Sequence, residues 1–149
     1  MILDVVINHV SNYDWHPLKF IDRDLYFQLD EKGNYVSQCC GNLLDLDNKH
    51  VQQYVIESLK YWMLEYHIDG FRFDQAHLLS LETAELISNE LRSINPGVII
   101  YGEAWDNRSE EFSEIEWGSF NAYFRDVIRG DLHNFEQKGF LFGSYRPNA

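Results

Sequence analysis

Short apolar runs of strand length alternate with helical stripes along most of this sequence, and that order leaves few folds open. Residues 1–8 read as a buried strand, with Val5, Val6 and Ile7 running up to Asn8 and His9. Residues 49–66 carry Val51, Tyr54, Val55, Leu59, Trp62 and Tyr66 at helical spacing, and Asp47 or Asn48 can cap the first amides. A second strand is predicted over 68–74, entered through Asp69 and Gly70. Residues 80–94 predict a second helix with Ser80 as its cap. Ala84, Ile87, Leu91 and Ile94 form its core face, and Asn95-Pro96-Gly97 is its stop. A third strand is predicted over 98–103, and residues 122–137 are weakly helical because Gly130 interrupts them.

Strands joined through helices run parallel, and a parallel sheet buries its faces under those helices. The fold class is therefore α/β. A closed TIM (β/α)8 barrel needs ~250 residues, so the chain supplies about three to four strand–helix units of a partial barrel, or else a small open sheet. Both ends look cut: Met1 sits directly on an apolar run, and the last residues, 143–149, trail off as a loop. Residues 1–149 are accordingly expected to be part of a single barrel domain with a long loop insertion at about 10–47. That insertion has no sustained period and is punctuated by Asn12, Asp14, Pro17, Gly33, Asn34 and Gly41. Short strands are expected in it near Leu25–Leu29 and Tyr35–Gln38. Connections of this length are often functional.

Charge narrows the partners. The formal net charge is −12, and the 12 Lys and Arg residues are scattered. Phosphate backbones and anionic membrane surfaces need clustered cations, so neither nucleic acid nor a membrane is an expected partner. No stretch approaches the roughly 18 apolar residues of a membrane span. Cys39 and Cys40 are adjacent, which rules out a long-range disulfide between them, and no CxxC pair offers a zinc site. A neutral polysaccharide is compatible with this charge. Aromatics make up 15% of the chain and suit either a core or stacking on sugar rings.

Three predicted strands end in polar residues: Asp4 to Asn8-His9, then Arg72-Phe73-Asp74, then Tyr101-Gly102-Glu103. In barrels the C-terminal strand ends form the active site. Arg72 and Asp74 share one strand face, while Phe71 and Phe73 point to the covering helices. A cation beside one carboxyl favours its charged form, and burial beside a charged neighbour favours the protonated form of a second. One charged and one protonated carboxyl is the arrangement that glycoside hydrolysis requires. Taken singly, each group fits an internal ion pair or a structural carboxylate equally well; three such strand ends in succession do not.

These segments resemble the short motifs of the α-amylase superfamily (glycoside hydrolase family 13). Asp4-Val-Val-Ile-Asn8-His9 resembles the first motif, Gly70-Phe-Arg72-Phe-Asp74 the second and Gly102-Glu103-Ala-Trp105 the third, in the family's order. The resemblance implies Asp74 as nucleophile and Glu103 as general acid/base. It implies Arg72, His9, Asp4 and Trp105 on the substrate side, with Arg72 orienting Asp74, His9 bonding the sugar and Asp4 mostly architectural. It requires no cofactor. Calcium is the one ion left open, because Asn8 is a calcium ligand in some members and a plain hydrogen-bonding residue in others.

Three further stretches are similar to pullulanase- and isoamylase-type debranching enzymes: Cys40-Gly-Asn-Leu-Leu-Asp-Leu, Trp117-Gly-Ser-Phe-Asn and Phe124-Arg-Asp-Val-Ile-Arg-Gly130. Core packing accounts for Trp117 and Phe120 equally well. The implied partner is an α-glucan, and the implied reaction is retaining hydrolysis of α-1,6 branches. An α-1,4-acting amylase, a transglycosylase and a non-catalytic glucan- or partner-binding barrel remain alternatives. The family's fourth motif, a strand ending in His-Asp that supplies a third carboxylate, is absent from this sequence. His77 falls three residues after Asp74, out of step with the amylase Lys-His pair, and is read as a satisfied loop or helix-start histidine. The isolated chain is expected to be poorly stable and inactive, since an open barrel exposes strand edges.

Overall fold

The computed structural model describes residues 1–12, 15–38, 41–104, 108–130, 136, 138–141 and 143. The adjacent Cys39 and Cys40 lie outside the described residues. The chain forms two compact units, Met1–Ser119 and Phe120–Ala149.

In the first unit the elements run β1 (Ile2–Val5), β2 (His9–Val10), α1 (Pro17–Tyr26), β3 (Ser37–Gln38), β4 (Gly41–Leu43), α2 (Lys49–Tyr66), β5 (Gly70–Phe73), α3 (Leu81–Ile94), β6 (Ile99–Gly102), α4 (Arg108–Glu114) and β7 (Gly118–Ser119). A single 3-10 turn, Ala76–Leu78, follows β5. Strands β1, β5, β6 and β7 form one parallel sheet in that order. Its register sets Asp4 beside Arg72 and Arg72 beside Tyr101. This is the α/β architecture that the alternation predicts, with strand bounds one to three residues inside the predicted ones.

The helices form where their caps and stripes say. Asn48 accepts the His50 N–H at the head of α2, and the Ser80 hydroxyl accepts the Thr83 N–H at the head of α3. Val51, Val55, Ile56, Leu59 and Met63 of α2 are buried, as are Ala84, Ile87 and Leu91 of α3. The predicted α2 stripe drifts: Tyr54 and Tyr66 are exposed, and Ile56 and Met63 take the inward places. The helix places its narrow aliphatic face inward, while Tyr61, Trp62 and Tyr66 pack on one another. Gln52 on α2 bonds the Thr83 hydroxyl of α3 at 3.1 Å, and Lys60 pairs with Glu90.

Phe71 and Phe73 of β5 have no solvent exposure. Phe73 stacks on Trp117 at 4.7 Å between ring centroids, and the Trp117 indole N–H donates to the Ser88 hydroxyl. Trp117 is therefore a core residue, whereas Phe120, the first residue of the second unit, is 37% exposed. Each fully buried phenylalanine contributes about 1.5–3 kcal/mol of transfer free energy, which makes this cluster the anchor of the sheet.

The excursion matches its prediction only in part. A helix, α1, occupies residues up to Tyr26, where a strand is expected from Leu25. Single bridges follow, Phe27 to Leu44 and Leu29 to Tyr35, and the strand expected over Tyr35–Gln38 forms at its end as β3. His16 caps this helix, an unusual choice of cap, and Pro17 opens it, an ordinary start signal. Its only buried residue is Leu18, and its backbone kinks at Asp22, so no apolar period marks it. Strands β2, β4 and β3 pair antiparallel in a second small sheet. Helix α4 and strand β7 also escape the sequence reading, being too short to show a period.

In the second unit α5 (Ala122–Arg129) starts where the Asn121 side chain accepts the Phe124 N–H at 2.7 Å. It ends at Gly130, whose φ of +81° closes it. The remainder of the helix predicted to residue 137 falls largely outside the described residues. Among the described residues, no helix is long and apolar enough to cross a membrane.

Candidate active site

Asp74 and Glu103 are each the first residue beyond a parallel strand. The Asp74 N–H donates to the Val5 carbonyl and the Glu103 N–H to the Phe73 carbonyl, both at 2.9 Å. The ladder thus runs one residue past β5 and β6 and fixes both carboxylate-bearing backbones against their neighbours. Arg72 lies between them. One guanidinium nitrogen, Nη1, donates to Asp4 Oδ1 and to Asp74 Oδ1, each at 2.7 Å. The other, Nη2, donates to Glu103 Oε2 at 2.8 Å. A planar fork with several N–H groups can hold three carboxylates in this way; a lysine ammonium lacks that geometry. Burial opposes the charge on Arg72, but the hydrogen bonds it donates to Asp4 and Asp74 and the charges of Asp4 and Glu103 outweigh it. The guanidinium pKa is raised above its ordinary value.

Asn8 is 3% exposed and supports the same corner from beneath. Its Nδ2 donates to the Asp74 carbonyl at 2.7 Å and to the Gln75 carbonyl at 2.8 Å. Its Oδ1 lies 2.5 Å from His9 Nδ1. His9, on β2 opposite Leu43, is buried, and that contact fixes its ring. Gln75 follows Asp74 with φ +42° and ψ +47°, and its N–H reaches Glu103 Oε2 at 3.3 Å.

The structure thus brings together Asp4, Asn8, His9, Arg72, Asp74 and Glu103. Trp105 lies outside the described residues. Asn8 does not fit the calcium role. The ion takes 6–8 oxygen ligands, whereas the Asn8 amide is spent on two carbonyls and its oxygen faces His9. Among the described residues no three His, Cys, Asp or Glu side chains gather in a metal-holding group. His77 sits in a 3-10 turn, the helix-start placement expected of it, but among the described residues its buried Nδ1 has no hydrogen-bond partner, so it is not the satisfied histidine expected. Its carbonyl accepts from Arg108 at 2.5 Å. Sequence reasoning missed the reach of Arg72 to Glu103, the Asn8 clamp and the left-handed Gln75. The first could have been found from the strand order, which sets Arg72 next to the strand of Glu103; the other two have no local signal.

Strand ends, register and the carboxylate cluster together define a piece of an α-amylase-type barrel, and comparison with known proteins agrees. No protein-family model matches the chain. Its sequence is 42% identical over 151 residues to a glycogen debranching enzyme of Enterobacter sp. (strain 638), covering 87% of this chain and 22% of that protein. It is 32% identical to the rice chloroplast isoamylase 3, covering 87% of this chain and 19% of the relative. Its fold superposes on a mutant pullulanase from Paenibacillus barengoltzii complexed with maltotetraose, with a TM-score of 0.87 and 31% identity over 96% of this chain and 24% of that one. The chain belongs to the α-amylase superfamily. The relatives and solved structures it matches are pullulanase- and isoamylase-type debranching enzymes, and the chain spans about a fifth to a quarter of their length.

Proposed function

We propose that this chain carries the nucleophile and the general acid/base of a retaining α-glucan hydrolase that cleaves α-1,6 branches. The observation that supports this reading is the grip of Arg72 on Asp74 and Glu103 from adjacent strand ends. Asp74 attacks the anomeric carbon and forms a glycosyl ester while Glu103 gives its proton to the departing glycosidic oxygen. Water then enters, Glu103 takes a proton from it, and Asp74 is released with the configuration retained. Arg72 aims Asp74 through the hydrogen bond it donates to Oδ1. His9, Asp4 and Trp105 bind sugar hydroxyls and rings around the scissile bond. No cofactor takes part in this chemistry, and EDTA should leave the rate unchanged. A third carboxylate, for the transition-state charge, comes from outside the motifs present here. The barrel is a single domain in which residues 10–47 form one inserted loop region.

Retention requires the two carboxyl groups to stand about 5–5.5 Å apart in the complex. In the full-length protein, Asp74→Asn should lower release of reducing ends from pullulan by on the order of 10⁴-fold, the scale of losing a catalytic carboxylate. Turnover near wild type in that variant ends the assignment. Glucan binding with no turnover in the wild-type protein would mark a non-catalytic barrel.

A further inference from the structure

We infer that the Gln75 peptide is a positioning element: clamped in the left-handed conformation by Asn8, it hands its backbone N–H to Glu103 and so locks the acid/base carboxyl to the nucleophile's own strand end. This rests on the reading of Asp74 and Glu103 given above. Left-handed backbone is uncommon outside glycine, and glutamine has no intrinsic preference for it, so surrounding contacts must impose it. The two Asn8 hydrogen bonds do this. Carbonyls of consecutive residues, Asp74 and Gln75, converge on one amide nitrogen, which an extended chain cannot arrange because its carbonyls alternate in direction.

The turn is seated from the far side as well. Ala76 is fully buried, and a Cβ built at Gly102, the residue before Glu103, would come within 2.5 Å of the Ala76 Cβ. The missing side chain at Gly102 lets the turn after β5 rest directly on β6. With the turn in place, the Gln75 N–H and Arg72 Nη2 both meet Oε2 of Glu103. Oε1 is then the oxygen that exchanges a proton with the sugar.

The test compares Gln75→Val, Gln75→Asn, Asn8→Asp and Asp74→Asn in the full-length protein, with melting temperatures to check folding. Valine is branched at Cβ and resists positive φ, so kcat on pullulan should fall roughly 10–100-fold with KM little changed. Asparagine tolerates the left-handed region and should restore most of that loss. Asn8→Asp keeps the shape but turns a carboxylate oxygen toward the two carbonyls, and should match valine. On α-maltotriosyl fluoride, whose leaving group needs little protonation, the Gln75→Val and Asn8→Asp deficits should shrink to within about threefold of wild type. A purely structural lesion would leave the deficit equal on both substrates. Wild-type kcat in Gln75→Val overturns the inference, as does equal loss in Gln75→Asn. If valine prevents folding, Asn8→Asp on the two substrates decides alone. An active Asp74→Asn instead overturns the catalytic reading; an inactive one beside an undisturbed Gln75→Val overturns the positioning role alone.

Discussion

The parallel frame of β1, β5 and β6 and the excursion between β1 and α2 are built on different principles. In the frame, each strand continues its neighbour's register, and long helices with aliphatic faces cover the outer side. In the excursion, strands of two or three residues, isolated bridges and one kinked helix are held by a few residues, chief among them Phe27. Phe27 is 2% exposed and meets Tyr35 edge-on at 5.2 Å. Repetition stabilises the first region and single contacts the second. The candidate site straddles both: Arg72, Asp74 and Glu103 come from the frame, while Asn8 and His9 come from the start of the excursion.

The sharpest way to break the comparison is to remove one phenylalanine from each side. Phe73→Ala deletes a fully buried ring that stacks on Trp117, and should cost about 3–5 kcal/mol, seen as a fall in melting temperature with protection lost across β1, β5 and β6 in hydrogen exchange. Phe27→Ala should cost roughly 3 kcal/mol, but its lost protection should stay within residues 15–46. Equal spread of the two effects would mean that the regions form one cooperative unit. Next in size is Gly102→Ala, whose new Cβ collides with Ala76. Overpacking there should cost about 1–3 kcal/mol, and Ala76→Gly in the same chain should return most of it.

What could be read from the sequence follows the same division. The strands ending at Val5, Phe73 and Gly102 and both long helices were legible because their signals are periodic or are caps of fixed spacing. The pairing of Arg72 with Asp74 was legible because a strand puts alternate residues on one face. The helix at Pro17–Tyr26 was not, although Pro17 marks its start, because histidine is not a usual cap and one buried leucine makes no stripe. The Asn8 clamp and the conformation of Gln75 arise only when residues 66 and 67 positions apart meet, and no local pattern encodes that.

The smallest expected effect tests where acid acts. His16 heads α1, and its Nδ1 accepts the Leu18 N–H at 3.3 Å. Burial, reinforced by the positive charge of Lys19, lowers its pKa from the ordinary 6.5. The folded state therefore resists the proton more than the unfolded chain does. The contribution is intact above 6.5 and is lost as pH falls through the lower folded value, when protonation also removes the cap's acceptor. Asp30 behaves in the same sense at lower pH. Hydrogen bonds from the Asn34 side chain and backbone lead in lowering its pKa from 3.8, so its contribution persists above 3.8 and disappears below the folded value. Both groups lie in the excursion. Between about pH 7 and about pH 5, exchange corrected for its intrinsic rate should therefore quicken in residues 15–46 before it does in β1, β5 and β6. His16→Asn keeps a capping oxygen but cannot titrate, and should remove that step. If the step survives the substitution, acid acts elsewhere, and the excursion is not the acid-sensitive region of this molecule.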